Sequence, residues 1–326
     1  MKTFWFHLYP DISKAIGGVK QIHRSAEIIQ CLGHRAYLVQ DNPNFHPGWF
    51  ESKVNTISLK EWNSLDLDPS SNINVFAETF ILALPKLTRG LPAIVFNQNF
   101  AYSFGLLNQK LFNPSAVVSI YKSKLIRQVW CVSDYDRQSL INIGVPSTKI
   151  YKISNCVDAR PFSPDSHKLR QICFMPRKNS TESNIVVSLL KSRPNLKSWQ
   201  IRPITNCSHR EVIDTLQTSL IFLSFGHPEG FGLPVAEALI SGCSVIGFTG
   251  LGGRELFDIA AKYQMAWPIE FGDHSSFLTY VDLCIETFLS NKADYIARSR
   301  EVSGLLYSKY SYQAMRASFS DCMNCL

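Results

Sequence analysis

Short apolar runs alternate along the chain with stretches in which apolar residues recur three or four positions apart. WFHLYP reads as a strand and Gly17-Gly18 as the tight turn after it. In VKQIHRSAEIIQCLG the residues Val19, Ile22, Ala26, Ile29 and Leu32 fall near helical spacing, Gly33 stops the helix, and AYLVQ is the next strand. NINVFAE, PAIVFNQ and VWCVS are further strands, each followed by loop residues. After DARPFSPDSHKLRQ the pattern restarts with ICFMP as strand, NIVVSLLKS as helix and WQIRPI as strand. Ser208 and Glu211 have capping-box spacing and open the helix REVIDTLQTS. LIFLS, a helix from Leu233-Pro234, and SVIGFTG continue the alternation, and LLYSKYSYQAMRASFSDCM predicts a closing helix.

Strands alternating with helices imply parallel sheets joined by crossovers. The chain therefore reads as α/β, with two doubly wound, Rossmann-like domains facing across a cleft. The spans are 1–163 and 164–305, joined near 158–168, with a helix at about 306–326 packing back on the first domain. Such sheets bind ligands beyond the C-terminal ends of their strands, so the chemistry should lie in those loops.

Length agrees with two domains, since 326 residues exceed what one core ordinarily encloses. With 45% hydrophobic and 18% charged residues the composition is that of a globular protein. No run reaches the roughly 18 apolar residues of a membrane-spanning helix. The opening MKTFWFHLYPDISKAIGG carries His7 and Asp11 and no small-residue cleavage site, so it reads as a buried strand, and the expected location is cytoplasmic. The nine cysteines are scattered, with only Cys322 and Cys325 close, which reads as reduced thiols rather than a metal or disulfide framework.

Charge changes the picture more. Of the net +7, residues 1–160 carry 17 Lys+Arg against 11 Asp+Glu, and the remainder 16 against 15. Lys110, Lys122, Lys124 and Arg127 are grouped. A solvated face explains this blandly; peripheral contact with an anionic partner or the inner face of a membrane explains it sharply. No Cys/His finger or RNA-binding aromatic signature is present, so nucleic acid is not an expected partner.

The densest chemistry lies in FGHPEGFGLPVAEALISGC, residues 225–243. Glu229 precedes a Gly-rich turn, and Glu237 follows about one turn into the helix that Leu233-Pro234 begins. Proline suits a first helical turn, where its missing N–H would be unpaired anyway. The free N–H groups of that turn and the helix dipole attract an anion, and Gly230 and Gly232 let the backbone approach it. A phosphate-bearing ligand resting there would have a carboxylate on either side to reach its hydroxyls. A helix dipole alone accounts for one glutamate, but not for Glu229, two glycines, the proline and Arg177 together. Elsewhere, Asp66-Leu67-Asp68 imitates a metal-binding pair but sits in SLDLDPSSN, a solvated turn. The glycines at 250–253 come too late in the chain for a dinucleotide fingerprint. His227 stands beside Glu229 either as a ligand contact or as a loop cap, and His7 reads as an edge of the core.

The stretch E-GFGLPVA-E resembles the E-x7-E motif of retaining GT-B glycosyltransferases, glycosyltransferase family 4 (group 1) in particular. The resemblance implies that Glu229 binds the donor sugar, that Glu237 holds the ribose, and that Gly230, Phe231, Gly232 and Leu233 surround the diphosphate. Gly17-Gly18 matches the family's N-terminal glycine turn toward the donor phosphates. Residues 132–158 resemble its crossover segment, with Cys156 where glycine is usual. In MPRKN, Arg177 and Lys178 match its cationic groups at the diphosphate. Gly252-Gly253-Arg254-Glu255 matches a later glycine-rich turn. The family's first-domain histidine is missing; VFNQNFAY offers Asn97, Gln98 and Asn99 instead, amides that can hydrogen-bond acceptor or sugar hydroxyls but cannot take a proton. The implied activity is metal-independent, retaining hexosyl transfer by front-face attack, with no cofactor. The donor is a UDP- or GDP-sugar, and the acceptor a glycan, a lipid-linked glycan or a small molecule. Rival readings are a catalytically weakened nucleotide-sugar-binding protein and a sugar-nucleotide epimerase.

Overall fold

The computed structural model describes residues 1–163 and 167–326, which form two compact units: 1–156 with 312–326, and 157–311. The join expected at 158–168, with its boundary at 163/164, falls partly on 164–166, outside the described residues.

The first unit holds β1 (Thr3–His7), α1 (Gly17–Cys31), β2 (Arg35–Gln40), β3 (Asn55–Ser58), α2 (Leu59–Ser64), β4 (Asn72–Ala77), α3 (Leu84–Leu87), β5 (Ala93–Asn97), α4 (Pro114–Lys122), β6 (Ile126–Cys131), α5 (Asp134–Asn142) and β7 (Ile150–Lys152). Its strands form one parallel sheet in the order β3-β2-β1-β4-β5-β6-β7, so the winding reverses between β1 and β4. The second unit holds β8 (Leu169–Phe174), α6 (Ser180–Lys191), β9 (Gln200–Pro203), α7 (His209–Thr218), β10 (Ser219–Ser224), α8 (Leu233–Ile240), β11 (Ser244–Gly247), α9 (Arg254–Ala261), β12 (Ala266–Pro268), α10 (His274–Ser290) and α11 (Lys292–Lys309). Its parallel order, β12-β11-β10-β8-β9, reverses between β8 and β10.

Central strands are mostly apolar and buried because helices cover both faces. In β5 every residue of Ala93–Asn97 is buried, as is every residue of β10. Ahead of α7, Ser208 accepts from the Glu211 N–H while Glu211 accepts from the Ser208 N–H, the reciprocal cap that the spacing predicts. The strands that the pattern missed, β3, β7 and β12, have three or four residues each and lie at sheet edges, where a run is too short to show a period.

The closing helix differs from its expectation. It breaks at Tyr310-Ser311 into α11 and a final α12 (Tyr312–Met323). Tyr310 is the reason. Its ring is buried edge-on against Phe231 at 4.9 Å, and its hydroxyl donates to Glu255 Oε1 at 3.0 Å, so tertiary contacts override local propensity. In the first unit α12 buries Met315, Phe319 and Cys322, one stripe of the helix. Phe319 meets the Trp130 ring at 5.0 Å, and Gln128 donates to the Cys322 carbonyl at 3.0 Å. Burying such an aromatic side chain stabilises by about 2–3 kcal/mol. Cys156, where the family resemblance expects glycine, lies outside the left-handed backbone region, so its side chain brings no strain. Gln21 holds its backbone from both sides. All nine cysteines are free thiols.

Candidate active site

Two loops flank the point where the second sheet reverses: 175–179 after β8 and 225–232 after β10. Both begin where a buried strand ends, so their positions are set by the sheet. Arg177, Lys178, Glu229, Gly232 and Pro234 line one pocket, floored by Phe222, Ser224 and Phe225 at the end of β10. Lys178 Nζ lies 2.9 Å from Glu229 Oε1 and donates to the Pro228 carbonyl at 3.2 Å. Both side chains keep about a quarter of their surface exposed, at 25% and 23%. Arg177 is exposed at the same pocket.

Asn179, to which the sequence reading gave no role, ties the loops together. It sits in the left-handed region at φ +52°, and its side-chain N–H groups reach the Phe225 carbonyl at 2.7 Å and the His227 carbonyl at 3.0 Å. An asparagine just before a helical run signals an N-cap. Here the side chain turns to the neighbouring loop instead and caps nothing on α6.

The glycines at 250–253 have a role that spacing does not reveal: the Glu229 loop lies against their backbone. The Glu229 N–H donates to the Gly250 carbonyl at 2.7 Å, and the Gly252 N–H to the Glu229 carbonyl at 3.0 Å. A β-carbon on Gly252 would lie 1.9 Å from the Gly230 carbonyl oxygen, and one on Gly250 2.6 Å from Glu229 Cβ. Glycine there is what lets the two loops touch and fixes where Glu229 stands.

Gly232 caps α8 at φ +87°, a conformation that favours glycine, and Pro234 follows in the first turn. The first turn of α8 thus opens beside the Lys178–Glu229 pair, giving dipole, cation and carboxylate in one pocket. Phe231 is buried and packs on Tyr310, so it supports the loop from behind. His227 carries its ring 4.8 Å from Phe271; burial holds its pKa below the ordinary value, against the pull of Glu229. Glu237 is half-buried one turn into α8, past the residues that line the pocket.

The remaining expected residues lie in the first unit. Gly17 and Gly18 begin α1, which has no side-chain cap. The space beside Gly18 is taken: a β-carbon there would lie 2.2 Å from Gln98 Oε1, and Gln98 Nε2 donates to the Gly18 carbonyl at 3.0 Å. Asn97 is fully buried, accepting from Ser103 at 3.1 Å and Tyr121 at 2.9 Å. Asn99 accepts from the Ala101 N–H. All three amides thus make hydrogen bonds inside this unit. Among the expected turns, Asp68 gathers Ser70 and Ser71 as a loop carboxylate, and no cluster of metal-binding side chains occurs among the described residues.

With this geometry in view, the chain can be set beside known proteins. No protein-family profile matches it. It is 29% identical over 219 residues to an α-1,6-glucosyltransferase of Actinobacillus pleuropneumoniae serotype 7; the match covers 64% of this chain and 60% of the relative. Among solved structures it is similar to Anabaena HepE in complex with UDP-glucose, with a TM-score of 0.72, 10% identity and full coverage of both chains. It is also similar to TarM, with a TM-score of 0.73, 10% identity and coverage of 100% and 98%. A third likeness is the pneumococcal O-GlcNAc transferase GtfA in complex with UDP and GlcNAc, at 0.69, 10%, and 99% and 98%. These likenesses establish the fold, which is the GT-B fold.

Proposed function

We propose that this chain, with its GT-B fold, is a retaining glycosyltransferase that moves a hexosyl group from a nucleoside-diphosphate sugar to a glycan, lipid-linked or small-molecule acceptor. The observation that carries the reading is the Lys178–Glu229 pair beside the first turn of α8, at the strand ends where the second sheet reverses. The glucosyltransferase relative and the UDP-bound solved structures support it and make UDP-sugars the first donors to test.

On this reading the second unit holds the donor and the first unit serves the acceptor. The diphosphate rests on the N–H groups at Gly232 and Leu233, with Arg177 and Lys178 as counter-charge. As the bond from the sugar to the leaving phosphate lengthens, charge grows on the phosphate. Cations and dipole already aimed there stabilise that charge without reorganising. Glu229 bonds sugar hydroxyls, and Lys178 fixes its carboxylate. Glu237, further along α8, bonds the ribose. The acceptor hydroxyl attacks from the face the phosphate leaves, and the phosphate takes its proton, so no protein base is required. The counter-charge comes from the protein's own groups, so a chelator should leave turnover unchanged. A second reading, a nucleotide-sugar-binding protein with weak turnover, draws on the internal bonding of the three amides at 97–99.

Thermal stabilisation by uridine, guanosine and adenosine diphosphates and their sugar forms tests the proposal, since a ligand held only by the folded state raises its stability. Stabilisation by one diphosphate, weakened about tenfold in affinity by Glu237→Ala, is the expected result. No shift with any nucleotide would overturn the donor site. Binding without transfer to any glycan would favour the second reading.

A further inference from the structure

The strongest surface anomaly lies away from the donor pocket. Leu106, Leu107 and Leu111 are 49%, 56% and 79% exposed, three large apolar side chains within six residues of one loop. The loop is closed, not trailing. The Phe112 N–H donates to the Phe104 carbonyl at 3.0 Å and the Lys110 N–H to the Gly105 carbonyl at 3.2 Å. Gly105, at φ +90°, is required for the turn, because a β-carbon there would lie 1.8 Å from the Lys110 carbonyl oxygen. Phe100, Phe104 and Phe112 pack inward on the core cluster around Val117 and Tyr121. The same loop therefore turns its aromatic residues in and its leucines out.

An independent observation falls on the same place. From Thr79 to Ser133 the chain has 55 residues without one Asp or Glu, and the leucine loop is in the middle of them. The stretch carries Lys86, Arg89, Lys110, Lys122, Lys124 and Arg127. All six are exposed, and Arg89 donates to the carbonyls of Trp62 and Leu65. Lys110 is in the loop itself, and Lys122 ends α4, the helix of about 13 Å that leads out of it. Exposed leucines of the second unit stand singly: Leu283 follows Asp282, Leu289 follows Glu286 by three residues, and Leu169, between Lys168 and Arg170, has no second exposed leucine beside it. Single leucines are ordinary surface.

We propose that loop 105–112 is a docking wedge for an anionic lipid surface, its leucines entering the headgroup boundary while Lys110, Lys122 and the neighbouring cations hold lipid phosphates. A bilayer supplies both things this patch lacks, an apolar layer and a negative field, and stable attachment ordinarily needs both. A soluble polyanion would use the cations and leave the leucines in water. A second copy of the chain would bring the same positive sign and repel. No helix among the described residues is long and apolar enough to cross a membrane, so the attachment is peripheral.

The test is co-sedimentation of the protein with vesicles of phosphatidylcholine alone and with added phosphatidylglycerol, without nucleotide, so that it stands apart from the donor reading. Binding is expected to the anionic vesicles only, and to weaken with salt. Lys110→Glu should lower the partition coefficient about fivefold or more, the equivalent of about 1 kcal/mol per cation. Leu106→Ser with Leu107→Ser and Leu111→Ser should abolish binding while the melting temperature stays unchanged; Leu289→Ser should do nothing. Three results would overturn the proposal: no binding to anionic vesicles at low salt, binding that survives the triple leucine change, or retention on heparin in its place. A leucine-dependent change of elution volume without vesicle binding would overturn it too, and assign the patch to a second copy.

Discussion

Both sheets reverse their winding once, and each has a glutamate in the segment after a strand at that reversal, yet the two are used in opposite ways. In the first unit Glu78 follows β4, and its two oxygens accept from the N–H groups of Gln98 and Asn99, both at 3.0 Å. Asp136, in the first turn of α5, accepts from the next N–H, that of Phe100, at 2.9 Å. Three successive backbone donors are thus held by two carboxyls that are 2% and 0% exposed. Burial pushes Glu78 up to about 7 and Asp136 well above its ordinary value. In the second unit Glu229 meets a lysine at a pocket wall and keeps 23% of its surface. The same chemical group fastens a loop in one sheet and faces a ligand space in the other. What separates them is desolvation and the partner: Glu78 is buried with a backbone N–H on each oxygen, whereas Glu229 stands beside a cation and is partly exposed at the pocket, with acceptor capacity left.

The comparison breaks most severely at the glycine contact that positions Glu229. Gly252→Val puts atoms where the Gly230 carbonyl stands, so one loop must leave the other. Turnover and nucleotide stabilisation should both vanish, with a loss of about 3–5 kcal/mol in folding stability, the range of severe core disruptions. A variant that melts normally and still binds nucleotide would show that the loops do not need each other. Next in size is Lys178→Met, which removes a cation and leaves Glu229 unpaired. Transfer should fall about 100- to 1000-fold, as for loss of one preorganised group at a developing charge. Nucleotide affinity should fall far less if Arg177 carries the ground-state contact; equal losses in both would make Lys178 a plain binding residue.

The first-unit carboxyls give a prediction with a definite sign. Glu78 is raised in the folded state, from 4.5 to about 7, so the folded protein keeps a proton that the unfolded chain releases. Its stabilising share is complete below about 4.5 and is lost as pH rises through 7, by roughly 3 kcal/mol at most. His7 and His23, held down to about 4 by burial, act with the opposite slope between 4 and 6.5. The difference between wild type and Glu78→Gln removes them, because they titrate in both. That difference should favour wild type at pH 5, where glutamine leaves one N–H without an acceptor. It should shrink steadily toward pH 8. Melting curves that stay parallel across this range would mean that Glu78 is ionised throughout and that its burial is not felt.

Much of this was legible in residue order, and what was hidden has a common cause. Periodicity located the central strands, and the Ser208–Glu211 spacing located the start of α7, because both are local relations. The two doubly wound units follow from strand ends, which periodicity marks, whereas the GT-B fold and the grouping of Arg177 and Lys178 with Glu229 are implied by the E-x7-E resemblance. Hidden were relations across space. Gly18 is small because Gln98 fills its place, 80 residues on. The helix stops at Tyr310 because Phe231 and Glu255 hold that ring. Glu78 looked like one more acidic residue after a strand, since nothing in NINVFAETF reports that its carboxyl points inward.

Asn179 is the finest probe of the contrast, because it belongs to the open site yet acts as Glu78 does, by holding a neighbouring loop through its backbone. Its two donors meet the Phe225 and His227 carbonyls, on either side of the turn that leads to Glu229. Asn179→Ala removes both bonds and also places alanine at φ +52°, which asparagine tolerates better. Asn179→Gly separates the two effects, since glycine accepts that backbone and still lacks the amide. The glycine variant should lose about 1–2 kcal/mol of stability, two ordinary hydrogen bonds less the solvation regained, and alanine somewhat more. Transfer should fall only several-fold in either, through a less fixed Glu229, with KM for the donor rising more than kcat falls. If instead glycine restores full stability, the amide bonds count for little, and the second unit's loops are held by their glycine packing alone.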